Sequence, residues 1–211
     1  MAIEYKKSDL VTEDWSGTVS DDFECVLNTL NAVLSEYGAD TVDADYLRNN
    51  YEKDPLVYYR KLGVSDSREN IDYKFRKHFK WEKPKPLAGA KEALRTIMDY
   101  GLEQAIVSTH HQKFLEKEVK EYGFSEYFPN GNIIGEVIDK AKELERLKIG
   151  RDKVYMVGDT WVDMEAAKEA GVIGIGVLSG YNSRELLEPH TDLIIEDVSE
   201  LPSLLFNLKN Q

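Results

Sequence analysis

Two acid-bearing stretches and two single polar residues carry the types and spacing that can do chemistry. Asp14 lies in EDWSGTVSDD, residues 13–22, and closes a run begun by the apolar Leu10 and Val11. It is too short and too polar for a core position. Gly158-Asp159-Thr160-Trp161-Val162-Asp163 follows the apolar run VYMV (154–157) and precedes the helical pattern MEAAKEAG. That stretch sets two acids four residues apart at a strand-to-helix junction. A hard cation such as Mg²⁺ takes carboxylate and carbonyl oxygens and keeps several waters, so acids from two or three separate loops can hold it. Asp159 and Asp163 are two such acids, and Asp14 can be the third. Ser108, at the end of AIVS (105–108), offers a hydroxyl to an anion, and Lys140 offers a cation from the first turn of a helix begun by Asp139. An anion site beside a metal site is the chemistry expected.

Such residues converge only if the elements before them run side by side. Short apolar runs at 105–108, 154–157, 172–177 and 193–195 read as strands. Between them, Ala90, Ala93, Leu94, Ile97 and Met98, and then Leu115, Val119 and Tyr122, recur at helical spacing before Gly101 and Gly123. Strand alternating with helix implies an α/β fold with a parallel sheet, whose ligands bind at the carboxyl ends of the strands. Asp14, Ser108 and Asp159 all fall at that end. Residues 21–84 break the rhythm: Phe23, Val26, Leu27, Leu30, Val33, Leu34 and Tyr37 form one apolar helical face. Helix-like sequence continues through Tyr59 and from Ser67 to Trp81, up to the proline-marked KPKP at 83–86. The expected organisation is a sheet domain from residues 1–20 and 85–211, with 21–84 inserted as a helical cap that can act as a lid.

Composition limits the partners. The chain has 211 residues, 42% of them hydrophobic, enough for one full core and a small second unit. Its 27 basic and 39 acidic side chains give a net charge of -12, which repels nucleic acid and anionic membranes. Cys25 is the only cysteine, MAIEYKKSDL lacks the apolar run of a secretory signal, and no stretch approaches the roughly 18 apolar residues of a membrane span. The expectation is a cytoplasmic monomer or homodimer acting on a small molecule.

In order and spacing, DWSGT, AIVST, a lone lysine and VGDTWVD resemble the four motifs of the haloacid dehalogenase superfamily, mostly Mg²⁺-dependent phosphatases. AGVIGIGVLSGY, TDLIIEDVSELPSLL and the helical insertion are similar to the subgroup that carries phosphoglycolate phosphatase. The resemblance implies a Rossmann-like core and an enzyme that hydrolyses a small phosphorylated metabolite through an aspartyl-phosphate. Asp14 would be the nucleophile, and Ser108 and Lys140 would hold the phosphoryl group. Asp14, Asp159, Asp163 and the backbone carbonyl of Ser16 would hold Mg²⁺. Backbone N–H groups in the turn formed by Trp15, Ser16, Gly17 and Thr18 offer further donors, which places Trp15 with Ser108 and Thr109 among the expected substrate contacts. The Trp15 ring reads as packing, as do Tyr51, Tyr58 and Tyr59.

This chain departs from the family pattern in three places. Ser16 stands where these phosphatases carry a second catalytic aspartate, which implies a slow second step unless water, His110 or a cap residue substitutes. Glu13 replaces an apolar residue, and the motif lysine lacks its usual proline, with Lys142 as the alternative to Lys140. DWSGT is also close to the DWAGT of phosphonoacetaldehyde hydrolase, which uses a cap lysine as a Schiff base, so Lys53 and a phosphonate or haloacid substrate form a competing reading. A protein that binds phosphate ligands or a partner without turnover is the other.

Overall fold

The structure is a computed structural model and describes residues 8–80 and 84–209. Along the chain run β1 (Leu10–Glu13), β2 (Ser20–Asp21), α1 (Phe23–Glu36), α2 (Ala44–Asn49), α3 (Pro55–Lys61), α4 (Arg68–His78), β3 (Lys85–Pro86), α5 (Ala90–Asp99), β4 (Glu103–Val107) and α6 (Gln112–Glu121). β5 (Ile133–Ile134), α7 (Lys140–Lys148), β6 (Val154–Gly158), α8 (Trp161–Ala170), β7 (Ile173–Val177), α9 (Arg184–Leu187), β8 (Ile194–Ile195) and α10 (Leu201–Lys209) follow. The tail of the helical pattern at Trp81 and the first part of KPKP lie outside the described residues.

Among the described residues, one sheet has six strands in the order β5-β4-β1-β6-β7-β8, and every pairing in it is parallel. Both faces are covered, which is why β1 and β6 are buried along their whole length. One face packs Val11, Ile106, Val157 and Ile175 against the apolar stripe of α5, the buried Leu115 and Val119 of α6, and Leu201 and Leu205 of α10. On the other face Met156 meets Ala141 and Leu144 of α7 and Ala166 and Ala167 of α8. β1 is central: the chain steps from it to β4 on one side and later returns to β6 on the other, so a crevice opens at the carboxyl end of β1.

The four helices between β2 and β3 have a core of their own, with Phe23, Leu27, Leu30, Leu34, Leu47, Tyr58 and Tyr59 among its members. The starts of α2, α3 and α4 follow from capping chemistry. The Asp43 carboxylate accepts from Tyr46 N at 2.7 Å, Asp54 accepts from Leu56 N at 2.9 Å ahead of Pro55, and the Ser67 hydroxyl accepts from Asn70 N at 3.3 Å. At the flanks of the insertion Ser20 and Asp21 pair antiparallel with Pro86 and Lys85. Two-residue strands carry no periodicity, so this small ribbon joining the two units left no signal.

Candidate functional site

Each acid of the site is placed by the end of a strand. Asp14 is the first residue after β1, and its N–H donates to Val157 O at 2.8 Å, which continues the β1–β6 ladder one step past the strand. Asp159 follows β6, and Asp163 lies in the first turn of α8. Oxygens of these three carboxylates lie within 4.8 Å of one another. Asp159 is fully buried and Asp163 nearly so. The Asp163 side chain accepts the Thr160 N–H at 3.2 Å and the Thr160 hydroxyl at 2.6 Å, which fixes its free oxygen toward the cluster.

Lys140 completes the cluster. Asp139 accepts Lys142 N at 3.1 Å as the cap of α7, so Lys140 is the first helical residue, and helical side chains lean back toward the N-terminus. Its Nζ lies 2.9 Å from Asp14 Oδ1 and 2.5 Å from Asp163 Oδ1. Lys142 is exposed, so Lys140 is the lysine that reaches the acids.

The electrostatics follow from crowding like charges out of water. Burial, then the neighbouring Asp14 and Asp163 charges, push the Asp159 carboxyl well above the usual range. Burial also raises Asp163, with the Lys140 ammonium pulling against it. Burial alone would pull Lys140 down, but Asp14 and Asp163 hold it above its ordinary value. Three acids against one cation are short of positive charge, and the donor set is all oxygen: the residues fit a divalent hard cation.

Residues 179–182, after β7, bind around the acids; in the sequence Ser179, Gly180 and Tyr181 stand only within a stretch that carries the resemblance, with no site role given to them. Tyr181 N donates to Asp159 Oδ2 at 2.7 Å, the Ser179 hydroxyl to Gly17 O at 2.6 Å, and Asn182 accepts Trp161 N at 2.7 Å. Glycine is required here on steric grounds. A Cβ on Gly180 would lie 2.0 Å from Asp159 Oδ2, and one on Gly17, which has φ +71°, 2.5 Å from the same atom. The helical insertion touches this loop directly, because Arg48 Nε donates to Gly180 O at 3.1 Å while its guanidinium stacks 4.2 Å over the Phe23 ring.

Tyr181 also joins the core of the insertion, and its hydroxyl donates to Asp22 at 2.8 Å, just ahead of α1. Burial pushes Asp22 up to about 6, against hydrogen bonds from Ser16 and Tyr181. Tyr51, expected only to pack, packs near Tyr181 at 6.2 Å between ring centres. It also lies near the acids: burial, then Asp159 and Asp163, raise its hydroxyl.

The remaining expected residues are spread around this centre. The Trp15 ring is fully buried, donates to Glu118 Oε2 at 2.6 Å and stacks on Tyr122 at 5.4 Å, so only its backbone faces the crevice. Ser108 is buried at the end of β4, where its hydroxyl accepts His110 N at 3.3 Å. Thr109 is exposed. Ser16 is the one half-buried residue of 11–20, and its hydroxyl lies 3.3 Å from His110 Nδ1. His111 turns away to Glu136 at 3.5 Å, and Lys53 is exposed. Glu13 is buried in β1, where burial pushes its carboxyl well above the usual range. Its carboxyl thus stands buried where the family pattern has an apolar residue.

Comparisons with known proteins agree with this architecture. Residues 14–177 match the family model described as haloacid dehalogenase-like hydrolase. A phosphoglycolate phosphatase of Agrobacterium fabrum is 25% identical over 224 aligned positions, covering 94% of this chain and 93% of that protein. One from Vibrio parahaemolyticus is 28% identical over 120 positions, 53% of this chain and 52% of that protein, so this match spans about half the length of each. In fold, a haloacid dehalogenase-like hydrolase from Streptococcus pneumoniae superposes with a TM-score of 0.77 at 19% identity, over 93% of this chain and 97% of the other.

Proposed function

Because the chain belongs to the haloacid dehalogenase-like hydrolase family, we propose that it hydrolyses a phosphate monoester of a small metabolite, with Asp14 as the nucleophile. One observation carries this: the Asp14, Asp159 and Asp163 oxygens within 4.8 Å of one another, with Lys140 Nζ bridging Asp14 and Asp163. A carboxylate nucleophile and a phosphate dianion repel each other, so the site must supply positive charge in fixed geometry. Asp14, Asp159 and Asp163, with the Ser16 carbonyl, would hold Mg²⁺. A cation held by these residues would supply positive charge against the nucleophile and the phosphoryl group.

The chain's own residues do the rest. Asp14 attacks phosphorus as the ester P–O bond breaks, giving an aspartyl-phosphate and an alcohol. Water then cleaves the acyl phosphate, restoring the Asp14 carboxylate and releasing inorganic phosphate. Lys140 orients Asp14 and offers its remaining proton to a phosphoryl oxygen. The Ser108 hydroxyl, which accepts from His110 N, keeps its own proton for the same use. N–H groups of the turn after Asp14 add donors.

The four helices act as a cap. Tyr51 and the loop 179–182 stand beside the acids, where they would bear on which substrate enters. With relatives named phosphoglycolate phosphatase, a small phosphorylated carboxylic acid is the first class to test. Asp22, between β2 and α1, is the point about which such a cap would hinge. A Schiff-base route through Lys53 gains nothing from a side chain that is exposed, while its neighbour Tyr51 is the one that lies near the acids.

The test is phosphate release from a panel of phosphorylated metabolites with Mg²⁺, for wild type and Asp14→Asn. Wild type is expected to release phosphate and to carry an acid-stable ³²P label, and Asp14→Asn to do neither. Turnover by Asp14→Asn at the wild-type rate refutes the nucleophile assignment. No release from any ester refutes the phosphatase reading.

A further inference from the structure

An alcohol leaving phosphorus needs a proton, and the water that later attacks the acyl phosphate must lose one. None of the clustered acids is free for this: Asp14 is the nucleophile, while Asp159 and Asp163 are tied to Tyr181 N, Thr160 and Lys140. Two residues after Asp14 a different set of groups begins to line up. Ser16 Oγ is 3.3 Å from His110 Nδ1, and the other ring nitrogen of His110 faces Glu118 Oε2 at 4.0 Å. Glu118 comes from α6, and its carboxylate is fixed by the Trp15 indole at 2.6 Å. A carboxylate, an imidazole and a hydroxyl therefore stand in series, ending two residues after the nucleophile.

The geometry points to His110 as the proton donor and acceptor of the reaction, acting through the Ser16 hydroxyl, with Glu118 as the positioning residue that holds its ring. This rests on the phosphatase reading. In the first half, the leaving oxygen takes the Ser16 proton as the ester P–O bond breaks, and Ser16 takes one from His110 Nδ1. In the second, water gives a proton to Ser16 Oγ as its oxygen bonds phosphorus and the Asp14–phosphorus bond breaks, and the Ser16 proton returns to Nδ1. Protons balance over the cycle with no other reactant. Asp22 is the other carboxyl beside Ser16 and takes hydrogen bonds from both the Ser16 and the Tyr181 hydroxyls, but it is buried, whereas the His110 side chain keeps some exposure and its second ring nitrogen faces Glu118.

The chemistry of the leaving group separates a proton-transfer role from a structural one. A nitrophenolate leaves without being protonated and an alkoxide does not, while the second half needs proton removal with either ester. With p-nitrophenyl phosphate, His110→Gln is expected to give a rapid stoichiometric burst of nitrophenolate and then a steady state lowered by roughly 10²-fold, the low end for acid-base assistance, with phospho-enzyme accumulating. With 2-phosphoglycolate the burst should disappear as well. Ser16→Ala should behave alike, the double variant should be no slower than either single one, and Ser16→Asp in the His110→Gln background should recover at least tenfold. The proposal is overturned if His110→Gln keeps steady-state rates within threefold of wild type on both esters. It is equally overturned if burst and steady state fall together on both, or if Asp22→Asn produces the burst signature and His110→Gln does not. An Asp14→Asn variant that turns over would instead overturn the underlying phosphatase reading, so the two failures are distinct.

Discussion

Asp159→Asn should stabilise the metal-free protein and abolish its response to Mg²⁺. Asp159 is fully buried, with oxygens of Asp14 and Asp163 within 4.8 Å and Lys140 also acting on it. Neutralising it removes two repulsions and one attraction of comparable size, a net relief of about one pair. Unit charges about 5 Å apart at an effective dielectric constant near 20 interact by roughly 3 kcal/mol, taken as an upper bound. The asparagine oxygen can still accept Tyr181 N, so no backbone donor is orphaned. For wild type, Mg²⁺ at about 100 times its dissociation constant adds about 2.7 kcal/mol to folding stability. At about 2–4 °C per kcal/mol for a chain of this size, that is a rise in Tm of about 5–11 °C. Differential scanning fluorimetry at pH 7.5, with EDTA or with Mg²⁺, reads both effects. The reasoning fails if metal-free Asp159→Asn melts below wild type, or if it keeps the full Mg²⁺ shift.

Gly180→Ala sets a methyl group 2.0 Å from Asp159 Oδ2, so the carboxylate must move. Phosphate release should fall about 10²-fold and the Mg²⁺ shift in Tm should shrink, with far-UV circular dichroism unchanged. Activity within threefold of wild type would show that the loop yields instead. Asp22 titrates at about 6 in the folded chain against an ordinary 3.8, so its contribution to stability is full below about pH 4 and is lost as pH rises through 6. Two units correspond to roughly 3 kcal/mol. Asp22→Asn should therefore flatten metal-free stability between pH 4 and 6, measured by urea denaturation, and a slope equal to that of wild type would sink the assignment.

Those three predictions draw on residues that differ in how readable they were. The central strands are packed between helix layers, so β6 is a near-continuous apolar run, β4 ends in one and β1 begins with Leu10 and Val11, and the polar residues toward the carboxyl end of each could be read for chemistry. Position near a strand end singled out Asp14, Ser108 and Asp159 as candidates, and the cap chemistry of Asp139 put Lys140 in the first turn of a helix, with Lys142 left open until the fold showed which lysine reaches the acids. Strand edges were harder: β4 begins at Glu103 and Gln104, polar residues that no apolar run includes, and β5 and β8 have two residues each. Side-chain partners across the fold were not readable at all, because docking, and not spacing, decides them. Glu118 lies 103 residues from Trp15, Tyr181 lies 159 from Asp22, and both belong to segments whose local patterns state only helix or loop. The two groups beside Ser16, His110 and Asp22, illustrate the consequence. A missing carboxylate is visible in one motif, but what stands in its place is set by where α6 and the start of α1 pack. The substitution at Ser16 therefore has to be read together with the face of α6 that carries Glu118, and a change at either end of that line should alter the same step of the reaction.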